Sequence, residues 1–194
     1  KVVLAHPTIF LVMISSSFVG MSRLSVTTFL PLYLAEEIGY GPFWLGFHWA
    51  LLYAMGIFSQ PLMGILSDRF SRKTVLLPCF AIMGILYLLI PAPNGGFILA
   101  LIIGALGLFF YGTGNIATAA VLDMAPKEVQ GTTQSFMSLF QQVVTLPAPM
   151  LAGYIVSQFG YSTVFYYSSA LLFSAATVWA LIQIPKQAGT SQIG

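Results

Sequence analysis

GILSDRFSRK, residues 64–73, carries four of the chain's twelve formal charges, Asp68, Arg69, Arg72 and Lys73, between two stretches that are almost wholly apolar. The whole chain shares that imbalance: 58% of its 194 residues are hydrophobic and 6% charged, against about a quarter charged in soluble domains. A soluble protein of this size cannot cover its surface with so few charges, so the chain belongs in lipid. The net charge of +2 does not point to nucleic acid, and no such partner is expected; where the charges sit matters more than their sum. Cys79 is the one cysteine and lies in an apolar run, which reads as a buried, inert thiol with no intrachain disulfide and no metal cluster. No cofactor is expected. The chain opens at Lys1 without an initiator Met or a signal-peptide layout, which reads as a piece of something longer.

Outward from the quoted stretch, the question is how many segments can cross a bilayer. A hydrocarbon core of about 30 Å takes about 20 apolar residues in a helix. Six segments meet or approach that length: Thr8–Ala35, Phe43–Leu66, Thr74–Ile90, Gly96–Leu122, Gly131–Phe159 and Ser162–Ile184. Lipid offers no partner to a bare peptide group, so these are helices or barrel strands, and they are too long and continuous for short alternating strands. Helices win. Turn chemistry fills the breaks: Gly39-Tyr40-Gly41-Pro42, Pro91 to Gly96, Ala125-Pro126-Lys127-Glu128 and Gly160-Tyr161. Pro31, Pro61, Pro78, Pro147 and Pro149 fall inside spans and are expected to kink them without ending them. Residues 1–186 then form one six-helix bundle and 187–194 a polar tail.

Basic residues outside the spans are Lys1, Arg69, Arg72, Lys73, Lys127 and Lys186, all at the termini or in the second and fourth loops. The first, third and fifth loops hold none, and the first carries Glu36 and Glu37. The positive-inside bias therefore puts both termini and the even loops in the cytoplasm, in a plasma or bacterial inner membrane. Tyr40, Phe43, Trp44 and Trp49 fall near the outer face, as an aromatic belt would. The charged stretch becomes a cytoplasmic loop of about seven residues, the only nearby place where charge can reach water.

Gly64-Ile65-Leu66-Ser67-Asp68-Arg69-Phe70-Ser71-Arg72-Lys73 resembles the loop signature of the major facilitator superfamily: Gly, any, Leu, small, Asp, Arg, any, Gly, basic, basic. Nine of the ten places are compatible, and Ser71 stands where the second glycine belongs. Thr28-Phe29-Leu30-Pro31-Leu32-Tyr33-Leu34-Ala35, followed by Gly39-Tyr40, resembles the end of the first helix of that family's C-terminal half. Val121-Leu122-Asp123-Met124-Ala125-Pro126-Lys127-Glu128 with Gly131 resembles the loop before that half's fifth helix, with Gln130 where Arg is usual. The fourth span lacks the arginine typical of the N-terminal half. The resemblance implies an all-α membrane protein of six transmembrane helices in two inverted three-helix repeats, half of a twelve-helix transporter, whose N-terminal half is absent or on another chain. A faint internal echo recurs at an offset of 89: Gly64 with Gly153, Phe70 with Phe159, Thr74 with Thr163, Val75 with Val164.

In that family the charged loop latches the cytoplasmic helix ends together during part of the cycle. The resemblance gives that role here to Gly64, Asp68, Arg69, Arg72 and Lys73, with Asp123 and Glu128 as acids on the same membrane face. Asp68 is expected to follow a helix end and accept from N–H groups at a neighbouring helix start. The plain alternative is a solvated turn whose ion pairs contribute about 0–1 kcal/mol each.

Within the spans, polar residues fall in stripes. Arg23 lies near the middle of the first, where an arginine costs at least about 2.5–3.5 kcal/mol and must face a cavity or a partner. It shares a face with Ser16, Gly20 and Thr27, and Gln134, Ser138, Gln141 and Thr145 repeat that spacing in the fifth span. The fourth offers Tyr111, Asn115 and Thr118; the second offers His48 and Ser59, with Leu52 and Met55 between. Close packing and interhelical bonds also explain Ser16, Gly20, Thr118 and Ser138, and Gln141 and Gln142 serve equally as helix–helix glue. His48, near the outer interface, reads as a wet, uncharged histidine before a proton carrier. No Asp or Glu lies inside any span, so the counter-charge of Arg23 is an anionic solute, an acid in the missing half, or water.

No paired Asn-Pro-Ala loops, no Gly-any-Ser-Gly nucleophile with a histidine on a later helix, and no metal or phosphate motif occur, so catalysis is not expected. The expectation is a secondary transporter, symporter or antiporter, moving a small solute by alternating access, with an organic anion as the leading substrate class. Arg23, Asn115 and Gln141 are the first candidates for solute contact, with Thr27, Thr145 and His48 behind them. Its partners are the solute, the bilayer and the other six-helix half. The alternatives are a non-transporting scaffold or sensor with the same fold, and a multidrug-type efflux pump.

Overall fold

A computed structural model describes residues 7–182; the polar tail assigned to 187–194 lies outside them. The chain is helical, with no strand among the described residues. The helices are α1 (Pro7–Glu36), α2 (Pro42–Phe70), α3 (Arg72–Leu89), α4 (Gly96–Phe110), α5 (Gly112–Met124), α6 (Gln130–Thr145), α7 (Ala148–Phe159) and α8 (Ser162–Leu181). Six spans result, because α4 runs into α5 as Gly96–Met124 and α6 into α7 within Lys127–Phe159, each long and apolar enough to cross a membrane. Their ends fall within a few residues of those read from hydropathy.

The interruptions have local causes. Pro147 has no N–H to offer Val143 and Pro149 none to offer Thr145, so the helix of the fifth span is interrupted at Leu146-Pro147, while Leu146 N still bonds Gln142 O (3.0 Å) and Leu151 N bonds Pro147 O (3.0 Å). The prolines divide this helix without ending the span. Pro31, Pro61 and Pro78 lie inside unbroken helices.

The seven-residue loop expected at 67–73 is not present. Asp68, Arg69 and Phe70 finish α2, Arg72 begins α3, and Ser71 alone joins them. That one-residue link requires a left-handed residue, and Ser71 has φ 88° and ψ 144°, the only described non-glycine with positive φ. Serine is tolerated because its hydroxyl accepts from Thr74 N (3.4 Å), capping the first turn of α3.

Helix boundaries repeat across the two halves. Pro7 and Gly96 open the first and fourth spans, Phe70 and Phe159 close the second and fifth, and the positive-φ residues Ser71 and Gly160 follow them; each pair is 89 residues apart. The paired three-helix repeat expected from the faint sequence echo is consistent with this common register.

Packing sorts the spans into two layers. The neighbours α2, α4–α5, α1 and α6–α7 stand side by side, and α3 and α8 pack on each other behind them. The rear layer buries the bulk: Trp179, Tyr87, Phe80 and Phe165 are all but inaccessible. Serine hydroxyls bridge helices there, Ser15 Oγ to Ala175 O (3.2 Å), Ser22 Oγ to Ser168 O (2.9 Å) and Ser169 Oγ to Gly84 O (2.8 Å), the small-residue packing that lipid-embedded helices favour. The front layer is looser. The second and fifth spans bury least of all six, and Ile57, Phe58, Leu139 and Met150 leave more than half their surface uncovered.

Candidate solute groove and ion cluster

At α1, Gly20, Arg23, Leu24 and Thr27 face Ser138, Gln141, Gln142 and Thr145 of α6 across a groove of about 420 Å³. Gly20 makes the crossing possible, since a Cβ there would come 2.6 Å from Thr145 Cγ2 and 3.0 Å from Gln141 Nε2. Gln141 bridges the two helices and also borders the opening: Nε2–H donates to Ser16 O (3.1 Å), tying α6 to α1, while the side chain lines the groove. Thr27 and Thr145 border the groove and spend their hydroxyl protons on their own helices, on Arg23 O (3.0 Å) and Gln141 O (2.8 Å), which leaves each oxygen able to accept.

Arg23 reaches from α1 across to α5. One Nη2–H donates to Thr113 Oγ1 (2.6 Å), the guanidinium carbon lies 5.1 Å from the centre of the Phe110 ring, and Nε is buried with no protein acceptor. Thr113 is fully buried and donates in turn to Phe109 O (3.2 Å). Gly114 is the permissive neighbour, because a Cβ there would lie 3.2 Å from Arg23 Nη1. A hydroxyl and a ring face orient this cation without neutralising it. No acid pairs with it among the described residues.

Asn115 is exposed on α5 but does not line the groove. His48 corrects its own expectation: it is 1% exposed, not wet. Its Nδ1 lies 2.7 Å from Trp44 O, its ring stacks on Tyr40 at 5.2 Å, and Nε2 is buried without a partner. The whole second-span stripe turns inward, because Leu52 and Ser59 are buried with His48; hydropathy cannot say which face of an apolar helix meets protein and which meets lipid. His48 is therefore not part of the groove.

A family model described as Major Facilitator Superfamily matches residues 12–192. The chain belongs to that superfamily. Among curated members it is 30% identical over 162 residues to the multi-drug resistance efflux pump PmrA of Streptococcus pneumoniae serotype 4, covering 81% of this chain and 40% of that protein. It is 29% identical over 157 residues to the multidrug resistance protein MdtG of Yersinia enterocolitica, covering 77% and 37%. It is also 29% identical over 140 residues to the probable galactarate/D-glucarate transporter GudP of Escherichia coli, covering 69% and 31%. The chain thus spans less than half the length of these relatives.

The family's charged signature forms a cluster here at the α2–α3 junction. Arg72 meets Asp68 (2.5 Å) and Asp123 at the end of α5 (3.2 Å), and its Nη1 also donates to the buried Ser67 Oγ (2.6 Å). Asp68 lies inside the last turn of α2 and takes Arg72, not the N–H groups of a neighbouring helix start. Lys73 takes no acid either: Nζ donates to Ala180 O and Ile182 O, both at 2.7 Å, satisfying carbonyls at the end of α8. Arg69 lies 5.8 Å from the Phe70 ring. Neither Arg69 nor Glu128 has an ion pair among the described residues. Gln130, where Arg is usual, donates from Nε2 to Leu122 O (3.0 Å) and closes the α5–α6 turn.

Proposed function

We propose that the chain is the C-terminal six-helix half of a secondary transporter that moves a small organic anion by alternating access, with Arg23 as its charge partner. The observation that carries this is the uncompensated guanidinium at the middle of α1 beside an open groove bordered by hydroxyl and amide side chains. Such a charge is expensive in a membrane, and although Gln141 ties α6 to α1 through Ser16 O, open volume remains between the two polar rows. Gln141, Thr27 and Thr145 supply the donors and acceptors around the bound solute, and Asn115 meets it on the α5 side when the cavity is complete. A second six-helix half, with which the relatives are roughly twice as long, closes the cavity over the front layer. Both termini and the Arg72 cluster face the cytoplasm in a bacterial inner membrane. There Asp68, Arg72 and Asp123 hold α2, α3 and α5 together in one state and part in the other, with Gly64, Arg69, Lys73 and Glu128 around them.

The names of PmrA and MdtG favour a second reading, efflux of amphipathic drugs. A thermal-shift screen of the full-length protein against acids, sugars, amino acids and drugs separates the two. Stabilisation by anions that is lost in Arg23→Gln is expected, since a charge-assisted bond contributes about 1.5–3 kcal/mol, or roughly 10- to 100-fold in affinity. Stabilisation by neutral or cationic compounds that survives in Arg23→Gln would overturn the anion reading.

A further inference from the structure

Arg23 stands between two chemically different walls. On the α6 side are the amides and hydroxyls of the groove. On the α5 side an unbroken run of rings leads away from the guanidinium. From Phe110 it passes to Tyr111 (centroids 5.0 Å apart), then to Tyr53 of α2, stacked on Tyr111 at 5.2 Å with 26° between planes, then to Trp49 at 5.6 Å. Two features set this run apart from ordinary packing.

The first is depth. Tyrosines in membrane proteins gather at the headgroup level, where the ring is apolar and the hydroxyl wet. Tyr53 instead stands twelfth in a 29-residue span and Tyr111 sixteenth in another of 29, the position Arg23 holds in Thr8–Glu36. At about 1.5 Å per residue, Tyr53 is some 17 Å from the start of its helix, well below an interface belt. The second is support. Tyr111 occupies the break between α4 and α5 and lies directly over Gly56, where any Cβ would collide with its ring. Its partner Tyr53 is 52% exposed. A ring held in place from behind with its stacked neighbour half uncovered is a prepared aromatic surface, and a hydroxylated one is poorly suited to acyl chains.

The geometry points to a ring-bearing organic acid as the solute: its acidic group pairs with Arg23 and the amide wall, and its aromatic ring lies against Tyr53 and Tyr111. Tyr53 and Tyr111 are then specificity-determining residues. This rests on the proposed reading of the groove as the solute site.

The test uses the full-length protein in nanodiscs and three probes of similar shape: 2-naphthoate, its saturated decahydro analogue, and 2-naphthol. Binding is measured to wild type, Tyr53→Phe, Tyr53→Leu and Arg23→Gln. Naphthoate is expected to bind about 2- to 12-fold more tightly than the saturated acid, the range that ring–ring pairs contribute. Tyr53→Phe keeps that preference and Tyr53→Leu abolishes it while leaving the saturated acid unaffected, which also shows that the variant is folded. Arg23→Gln removes the preference for naphthoate over naphthol. If both acids need Arg23 but bind equally, or if the preference survives Tyr53→Leu, the ring surface is refuted and the anion groove stands. If neither acid binds, or both bind Arg23→Gln as they bind wild type, the groove reading fails and the inference falls with it.

Discussion

Replacing Gly20 by alanine tests the α1–α6 crossing on which the groove is built. The added methyl would lie 2.6 Å from Thr145 Cγ2, where ordinary contacts begin at 3.4 Å. Either α6 retreats or Thr145 changes rotamer and gives up the bond from its hydroxyl to Gln141 O. Overpacking of this kind costs about 1–3 kcal/mol, against about 0.5–1 kcal/mol gained by exchanging Gly for Ala in a helix. Gly46→Ala is the control: nothing lies within 4 Å of its Cβ, so it keeps the helix gain without the collision. The collision also has a specific rescue. Thr145→Ser removes Cγ2 and keeps the hydroxyl, leaving only the flexible end of Gln141 at 3.0 Å. In thermal unfolding of the full-length protein, Gly20→Ala should lower the midpoint, Gly46→Ala should not, and Gly20→Ala with Thr145→Ser should recover most of the loss, a coupling of about 0.5–3 kcal/mol. A neutral Gly20→Ala, or a double variant no better than the single, would show that the helices do not cross there.

Three further outcomes follow from local geometry. Ser71→Gly should stabilise the α2–α3 junction by about 1 kcal/mol, since glycine relieves a left-handed backbone and loses only a few tenths as a cap, whereas Ser71→Ala should destabilise it; equal unfolding midpoints for all three would contradict the assigned turn. Asp68→Asn should leave surface abundance near normal, because the carboxylate is mostly exposed, but should lower transport if the Arg72 cluster works as a latch; normal uptake at normal abundance removes that role. Lys73→Met should free the α8 carbonyls of Ala180 and Ile182 and raise hydrogen exchange at the end of α8, while unchanged exchange there would rule out the clamp.

The six spans and the charged junction were legible because lipid makes segment length and loop charge decisive, and those are properties of the linear sequence. Arg23 was legible for the same reason, since a charge at mid-span has few places to go. The stripes on α1 and α6 were each readable from their spacing, and the structure brings them to one groove. What could not be read was which face of a uniformly apolar helix meets protein. That is why His48 looked wet and is buried, and why Asn115 looked central and lies outside the groove. The pairing of Lys73 with backbone carbonyls, not with an acid, depends on where α8 ends, which no loop motif records. The Tyr53–Tyr111 stack left no trace either: Tyr53 belongs to no polar stripe, and its partner is 58 positions further on.

Solute passage requires that water reach the groove beside Arg23. Single cysteines at Gln141 and at Leu139 of α6, in a full-length background without other reactive thiols, can be challenged with a charged, membrane-impermeant methanethiosulfonate. Gln141→Cys should react, and should be protected by a transported anion, while Leu139→Cys, whose side chain is exposed away from the groove, should not. Equal inertness of the two positions would mean that the guanidinium faces no aqueous path and that no solute passes it.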